Sequence, residues 1–203
     1  MYMQQILYQP AEELLYEQDI FRTAINGLFY VKHTTNRDER GFFSELARMP
    51  EIEKVIGHPF PVKQINQSRS STGVVRGIHS EDWNKYATVT NGKCFCALVD
   101  LRPESPTFGK KEYFMLGFDR EALDGSLFIP ARIGNSICVM EGPMDYLYFV
   151  DKLYQNRDEK DDQVISLFDP DLQIPWPIPK ERMIISNRDK NAITLRSRFP
   201  EKF

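Results

Sequence analysis

The chain has 203 residues, 41% hydrophobic and 27% charged, with a formal net charge of −3 and a pI near 5.7. This length fits one domain with a substantial core, and the charge balance argues against a general nucleic-acid binder. No apolar run approaches the roughly 18–20 residues that a membrane-spanning helix needs. Residues 1–5 lack the basic and apolar regions of a secretory signal. We therefore expect a cytoplasmic protein that binds neither nucleic acid nor membranes.

The cysteine pattern favours reduced thiols over a metal site. Cys94 and Cys96 are two residues apart in a predicted strand, so they are expected to point to the same face. With Cys138 they make an odd set, and a zinc site would need four ligands, usually with paired C-x-x-C spacing. We expect three buried, reduced cysteines.

The first part of the chain predicts a helix. Residues 10–25 open with Pro10, and Glu12 and Glu13 follow in what would be the first turn. This helix would form an N-terminal helical extension, residues 1–26, ahead of a second region spanning residues 27–203.

From residue 27 onward the pattern is typical of an all-β domain. Short β-branched and aromatic runs alternate with turn residues, which predicts a β-sandwich or barrel, most simply a jelly roll. Asn91-Gly92 lies between two such runs and predicts a hairpin turn. A few short peripheral helices are expected, one of them over residues 44–55. The proline-rich part from Pro170 to Pro179 predicts irregular surface coil, whose Asp and Arg residues can fold back onto the barrel.

The segment Arg76-Gly77-Ile78-His79 is the strongest functional signal. His79 is one of only three histidines, and it stands among arginine, lysine and amide side chains. A histidine with a near-neutral pKa suits proton transfer, and its cationic neighbours suit an anionic ligand. In a regular strand Arg76 and His79 face opposite sides, so they can share a site only if a bulge or turn intervenes.

Each candidate residue also has an ordinary structural interpretation, and the functional one depends on their joint occurrence. A metal-binding cupin needs a His-x-His pair, whereas Ser80 and Glu81 follow His79, which argues against a catalytic metal. His79 could be a core histidine, Lys85 a solvated lysine and Arg40 a loop arginine. Tyr148 and Tyr154 could be core or rim aromatic residues, and Asp189 a turn residue.

In order along the chain, the motifs resemble the dTDP-4-dehydrorhamnose 3,5-epimerase family. The similarity covers roughly residues 27–195 and leaves the first 25 residues unexplained. The matching segments are residues 38–45 (DERGFFSE), 64–68 (QINQS), 76–79 (RGIH), 100–102 (DLR), 105–109 (SPTFG), Ile129-Pro130, Tyr148, Tyr154, Trp176-Pro177 and 186–189 (SNRD).

The resemblance implies a cupin-like jelly roll, a homodimer, no metal and no other cofactor. It places the catalytic base on His79, its paired aspartate on Asp189, the proton donor on Tyr148 and a lysine beside the ketone on Lys85. The contacts to a nucleotide-diphosphate keto sugar fall on Arg40, Glu45, Gln64, Asn66, Arg76, Asn135, Tyr154, Glu159 and Arg188. The strand that carries Arg40 and Glu45 is exchanged between subunits in this family, so a dimer would complete each site.

Three departures from the family pattern leave the substrate open. Asn135, thirteen residues before Tyr148, stands where the family usually has a second histidine. The loop from His79 to Lys85 is a few residues shorter than usual, and Arg188 replaces a common lysine. The resemblance therefore implies inversion at C3, C5 or both. The alternatives are a mono-epimerase acting on a dTDP-, GDP- or CDP-linked sugar, a 3,4-ketoisomerase, and a cupin-like module that binds a nucleotide sugar without turnover.

Overall fold

The computed structural model of the protein describes residues 6–118, 121–158 and 162–203, and strands dominate these residues. The predicted all-β architecture is confirmed. In the described ranges, no helix is long and apolar enough to cross a membrane. The strands are β1 (Leu15–Glu17), β2 (Ile20–Arg22), β3 (Phe29–Lys32), β4 (Thr34–Asp38), β5 (Gly41–Glu45), β6 (Gln64–Ser70), β7 (Val74–Ser80), β8 (Lys85–Asp100), β9 (Lys111–Gly117), β10 (Gly125–Ile129), β11 (Ile133–Val150), β12 (Gln163–Val164) and β13 (Ile184–Ile185). The helices are α1 (Met49–Ile56), α2 (Asn187–Lys190) and α3 (Leu195–Arg198), with short 3-10 turns at Glu12–Leu14, Tyr154–Asn156, Lys180–Arg182 and Pro200–Lys202.

Two long antiparallel strands, β8 and β11, join the two layers of a sandwich. Residues 85–91 of β8 lie between β10 and the second half of β11, which in turn pairs with β6. Residues 93–99 lie between β9 and the first half of β11, which pairs with β7. Strands β1, β2 and β3 extend the first layer beyond β10, and β12 and β13 flank β7 in the second.

The hairpin predicted at Asn91-Gly92 is wrong. Strand β8 continues through this pair, and Gly92 adopts a φ of +76°. A Cβ atom at Gly92 would lie 2.5 Å from the carbonyl oxygen of Glu141, so the two strands approach closely where β11 also carries bulges. The glycine therefore bends the strand from one layer into the other instead of reversing it.

Alternate residues of β8 enter separate hydrophobic clusters, so the strand is buried on both faces. Cys94, Cys96 and Leu98 belong to one cluster, whereas Phe95 and its alternate neighbours belong to another. The predicted burial of the cysteines is confirmed: all three are free and buried, and the Cys94 and Cys96 sulfurs lie 3.6 Å apart. Burial of each large apolar side chain contributes about 1.5–3 kcal/mol.

The helix predicted for residues 10–25 is wrong. The described structure has a single 3-10 turn there, followed by strands β1 and β2, which continue the sheet beyond β3. Ile20 is buried and faces Val31 across the strand pair. Pairing with an available sheet edge outweighs the local helix signals, because propensity is weaker than tertiary context.

The two other local predictions are partly confirmed. The helix expected over residues 44–55 is present as α1, but it begins after Arg48 with Pro50 in its first turn and ends at Ile56, followed by Gly57 as its C-cap with a φ of +78°. The C-terminal part is not simply surface coil. It buries Leu172 and Leu195 against the second layer, and β13 pairs in parallel with β7.

Asp100 forms a buried network that explains the segment from residue 100 to residue 107. Its carboxylate accepts hydrogen bonds from Arg102, from Ser105 at 2.6 Å and from Thr107 at 2.5 Å. Burial alone would raise the pKa of Asp100, but these hydrogen bonds outweigh it and hold the pKa below its ordinary value. The loop before β9 is therefore closed around a carboxylate that must stay ionised.

We expect Asp100→Asn to lower the free energy of unfolding by about 2–3 kcal/mol at neutral pH. Because the folded-state pKa is depressed, the stabilisation is present above the ordinary value of about 3.9 and is lost as the pH falls through the lower folded value. Urea unfolding at pH 7 and pH 3 should show that the difference in the free energy of unfolding between the variant and wild type is smaller at pH 3. Asp171→Asn is the control and should cost less, because the Asp171 carboxylate is 20% exposed and pairs with an exposed arginine, whereas that of Asp100 is fully buried.

Candidate active site

A β-bulge in β7 brings Arg76 and His79 to the same cavity. The pairing with β11 places His79 opposite Asn135 and Arg76 opposite Ile137, so β7 carries one extra residue between them. Gly77 lies in that extra step with a φ of +131°. A regular strand would have separated the two side chains, and the bulge is what allows both to line one site.

Substitution at Gly77 should disrupt this arrangement. A Cβ atom there would lie 2.3 Å from the Cβ of Ser136, whereas Gly41, which has the same φ of +131°, has nothing within 4 Å. We expect Gly77→Ala to cost at least about 2 kcal/mol more than Gly41→Ala, because only Gly77 adds a collision to the backbone strain. Thermal or urea unfolding of both variants measures the difference, and equal losses would contradict the close contact.

His79 is held by a buried carboxylate. Its Nε2 lies 2.7 Å from Oδ1 of Asp189, and the two side chains are 26% and 2% exposed respectively. Helix α2 presents the aspartate, and the Ser186 hydroxyl caps this helix by accepting from the Asp189 backbone N–H at 3.1 Å. Because a carboxylate only accepts, Nε2 carries the hydrogen and Nδ1 is left as the basic nitrogen.

Asp189 remains an anion despite its burial. Desolvation acts to raise its pKa, but the hydrogen bond and charge of His79, with further hydrogen bonds from Ser186 and Gly77, hold the pKa below its ordinary value. An ionised, immobile acceptor fixes the imidazole tautomer and stabilises the imidazolium that forms after proton uptake.

Lys85, Glu81 and Tyr148 form a second polar group in the same cavity. Lys85 is buried, its Nζ lies 2.9 Å from a Glu81 carboxylate oxygen, and it stands 5.2 Å from the centre of the Tyr148 ring. Burial raises the pKa of Tyr148; the charge of Lys85 lowers it and that of Glu81 raises it, leaving the pKa above its ordinary value. The phenol therefore keeps its proton at neutral pH.

The cavity, about 220 Å³ in volume, collects most of the predicted site residues. Across the described ranges, no cluster of three metal-binding side chains is present. Predicted residues that line the cavity are Arg76, His79, Lys85, Asn135, Tyr148, Tyr154 and Arg188; Asp189 lies behind His79 and lines an adjoining depression.

Gln64 and Asn66 lie beside the cavity on β6. Asn66 is directly opposite Tyr148 in the strand pairing, and it accepts a hydrogen bond of 2.7 Å from the Gln64 amide. Gln64 in turn accepts from the backbone N–H of Tyr154 at 2.9 Å. The two amides therefore lie between Tyr148 and the backbone of Tyr154.

Arg40 and Glu45 are not brought to this cavity by their own chain. They lie on the β4–β5 hairpin, where Arg40 pairs with Asp38 and Glu45 lies 2.5 Å from Arg48. The hairpin forms a separate two-stranded sheet. Glu159, the remaining predicted contact, lies outside the described residues.

Five lining residues were not among the predicted ones: Ser68, Glu81, Ser136, Ile137 and Tyr146. Ser68 and Tyr146 each lie two positions from a predicted residue on the same strand, so strand alternation could have identified them. Glu81 lies in the short loop after β7, and nothing in its sequence position indicates that it pairs with Lys85.

Comparisons with known proteins identify the family of this chain. The family model described as dTDP-4-dehydrorhamnose 3,5-epimerase matches residues 22–197. A dTDP-4-dehydro-6-deoxyglucose 3-epimerase of Streptomyces sp is 31% identical over 85% of this chain and 86% of its own length. A dTDP-4-dehydrorhamnose 3,5-epimerase of Pseudomonas aeruginosa is 31% identical over 84% of this chain and 92% of its own.

A solved structure with a similar fold contains a bound sugar nucleotide. The dTDP-6-deoxy-D-glucose-3,5-epimerase of Legionella pneumophila, crystallised with dTDP-4-keto-L-rhamnose, superposes with a TM-score of 0.77 at 29% identity. The match covers 87% of this chain and 92% of that one. The cupin-like fold and the isomerase class expected from the sequence are confirmed. Because the family model spans most of the chain and relatives of 31% identity cover more than four fifths of it, this chain belongs to the dTDP-4-dehydrorhamnose 3,5-epimerase family.

Proposed function

We propose that this protein epimerises a nucleotide-diphosphate-linked 4-keto-6-deoxy sugar at a carbon adjacent to the ketone. The observation that carries the proposal is the convergence of His79, Lys85 and Tyr148 on one cavity, with Asp189 behind the histidine. Inverting such a carbon needs a base, a stabiliser of the enolate oxygen and an acid that returns a proton to the other face. The chain supplies one group for each role.

His79 is the base in this proposal. With Nε2 bound to Asp189, Nδ1 accepts the proton from the carbon next to the ketone, and the Asp189 carboxylate stabilises the resulting imidazolium. The side chain is partly exposed, whereas its partner is almost completely buried. The base therefore faces the substrate space, and its orientation is set from inside the protein.

Lys85 and Tyr148 complete the proton transfer. One ammonium proton of Lys85 is used by Glu81, and the others are available to the ketone oxygen as negative charge develops on it. Tyr148 comes from the half of β11 that pairs with β6, whereas His79 is on β7 at the other half. Approach from two separate strands suits removal of a proton on one face and its return on the opposite face.

The cationic side chains at the rim suit the diphosphate. Arg76 and Arg188 line both the cavity and the adjoining depression, which has a volume of about 470 Å³. Arg188 is oriented by Asp162, with Nη2 and Oδ1 at 2.6 Å. A guanidinium fork matches phosphate oxygens, and the sugar would then extend toward His79.

We further propose that the protein acts as a homodimer in which the β4–β5 hairpin completes the partner's site. The hairpin pairs only with itself among the described strands, and it leaves Phe42 and Phe43 exposed by 53% and 71%. Such apolar exposure on a projecting element is typical of a surface that another chain covers. Arg40 on this hairpin would then reach the phosphates of a substrate bound next to the partner's His79.

Mixing two inactive variants tests this exchange. In a mixed dimer of His79→Asn and Arg40→Ala subunits, one site has both native residues if Arg40 acts across the interface. Random mixing should then restore about a quarter of wild-type turnover, because half of the dimers are mixed and each has one intact site of two. If Arg40 serves its own chain, no mixed dimer has an intact site and activity stays absent.

Turnover of a panel of sugar nucleotides tests the activity itself. We expect the dTDP-linked 4-keto-6-deoxyglucose to form an epimer detectable by NMR, with GDP- and CDP-linked analogues compared at equal concentration. Binding of these compounds without conversion, seen as thermal stabilisation alone, would instead support a non-catalytic binding module.

The three free, buried cysteines support the expected cytoplasmic location.

A further inference from the structure

We propose that Asn135 directs this enzyme to C3, by accepting a hydrogen bond from the C3 hydroxyl of the sugar. The inference rests on the proposed function, and it names the carbon and the substituent that the site selects. Its basis is the buried, unpaired oxygen of an amide side chain that lines the substrate cavity opposite His79.

The position of Asn135 places it next to the base. It lies directly opposite His79 in the pairing of β11 with β7, and both side chains line the same cavity. Asn135 is only 8% exposed. Any substituent on the carbon that His79 deprotonates therefore lies close to this amide.

Among the described residues, the nitrogen of the Asn135 amide has a hydrogen-bond partner and its oxygen has none. Its Nδ2 donates to the Tyr146 hydroxyl at 3.2 Å, and that tyrosine is itself buried at 4% exposure. Its Oδ1 is buried and has no hydrogen-bond partner among the described residues. An unpaired buried acceptor is costly, so the site favours a ligand that donates at this point.

The two carbons beside the ketone differ in what they can offer. In a 4-keto-6-deoxy sugar C3 carries a hydroxyl, whereas C5 carries a methyl group. When His79 faces C3, the hydroxyl can donate to Oδ1 of Asn135. When His79 faces C5, the methyl group occupies that space, excludes water and leaves the acceptor unpaired. The site therefore stabilises deprotonation at C3 over C5.

Glu81, the carboxylate on the cavity wall, does not remove this selection. Glu81 is engaged by Lys85 at 2.9 Å, so its carboxylate is already paired. Because Glu81 is paired with Lys85, which faces the ketone oxygen, its effect is the same whether C3 or C5 is deprotonated. The difference between C3 and C5 then depends on the unpaired amide oxygen.

Deuterium exchange at each carbon tests the proposal. In D₂O with dTDP-4-keto-6-deoxyglucose, wild-type exchange at C3 should exceed exchange at C5 by at least about ten-fold. Asn135→Leu, similar in size but unable to accept, should lower the C3 rate by about ten-fold without lowering the C5 rate. Asn26→Leu, at an exposed turn outside the cavity, is the matched control and should keep the wild-type ratio.

A change in the substrate tests the same contact without a variant. The 3-deoxy form of the same sugar nucleotide should bind wild type about ten-fold more weakly than the parent compound. Asn135→Leu should bind the two equally, which is the signature of a lost pairwise contact. Tyr146→Phe, which releases Nδ2, should reduce the preference because it no longer orients the amide.

The outcomes separate this inference from the activity on which it rests. Equal exchange at C3 and C5 in wild type, or a ratio that Asn135→Leu leaves unchanged, would overturn the role of Asn135 and retain the epimerase. Exchange at neither carbon would overturn the proposed function and this inference together.

Discussion

Replacing His79 by asparagine is expected to lower epimerisation and deuterium exchange by about 10²–10⁴-fold, the range of a lost general base. Asparagine is too short to reach the position of Nε2, so Asp189 loses this partner but keeps the hydrogen bonds from Ser186 and Gly77. Binding of the nucleotide sugar should change far less, because the rim arginines are untouched. The measurement is the NMR exchange rate at C3 and C5 with equal concentrations of folded protein.

His58→Asn is the matched control for this variant. His58 is exposed, its Nδ1 contacts the carbonyl of Pro59 at 2.9 Å, and it does not line the cavity. The same substitution there should leave exchange unchanged. An exchange rate close to wild type in His79→Asn would remove the histidine from the role of base and leave the His79–Asp189 pair as a structural contact.

Replacing Tyr148 by phenylalanine should separate exchange from inversion. The variant retains the base and Lys85, so a proton can still leave and return on the His79 face. The acid that delivers a proton to the opposite face is lost, so net epimerisation should fall by about 10²–10³-fold. Exchange of the proton at the attacked carbon with solvent should stay measurable. Proton exchange is read from the recovered substrate, and inversion is read from the product.

Tyr16→Phe is the control for loss of a phenol, because Tyr16 is 45% exposed in β1 and contacts Arg22 and Phe29. It should affect neither quantity. If Tyr148→Phe reduces exchange and inversion in parallel, Tyr148 supports the pocket and a different group returns the proton.

The architecture could be predicted because its signal is distributed along the chain. Repeated short apolar runs indicated an all-β domain, and the alternation in β8 placed Cys94 and Cys96 on one face, as the structure confirms. Local signals were less reliable where pairing partners intervene. Pro10 and the following acidic residues favour a helix. The segment instead forms strands β1 and β2, because β2 pairs with the edge of the sheet at β3. Asn91-Gly92 has the composition of a turn, but it bends a strand whose partner runs alongside throughout.

The site residues were identified by motif order, while their geometry depends on features that the sequence does not display. The bulge at Gly77 decides that Arg76 and His79 share a cavity, and a one-residue change in register cannot be read from local composition. The pairing of Glu81 with Lys85 depends on the path of a short loop. The orientation of the Asn135 amide, which leaves its oxygen unpaired, depends on the hydrogen bond that its nitrogen donates to the Tyr146 hydroxyl.

Arg40 and Glu45 illustrate a different limit. Their motif predicted substrate contacts, but a single chain places them on a hairpin away from its own cavity. Whether a residue acts in its own site or a neighbour's depends on assembly, which strand patterns and side-chain types do not encode. The subunit-mixing experiment addresses this point directly.

The most direct test of the central claim is a time course of wild-type enzyme with dTDP-4-keto-6-deoxyglucose in D₂O, followed by NMR at C3 and C5. Proton abstraction beside the ketone predicts that solvent deuterium enters at least one of these carbons and that the deuterated product is inverted there. Conversion to a product without any solvent deuterium at C3 or C5, or complete inertness of the substrate with the folded enzyme, would contradict the account.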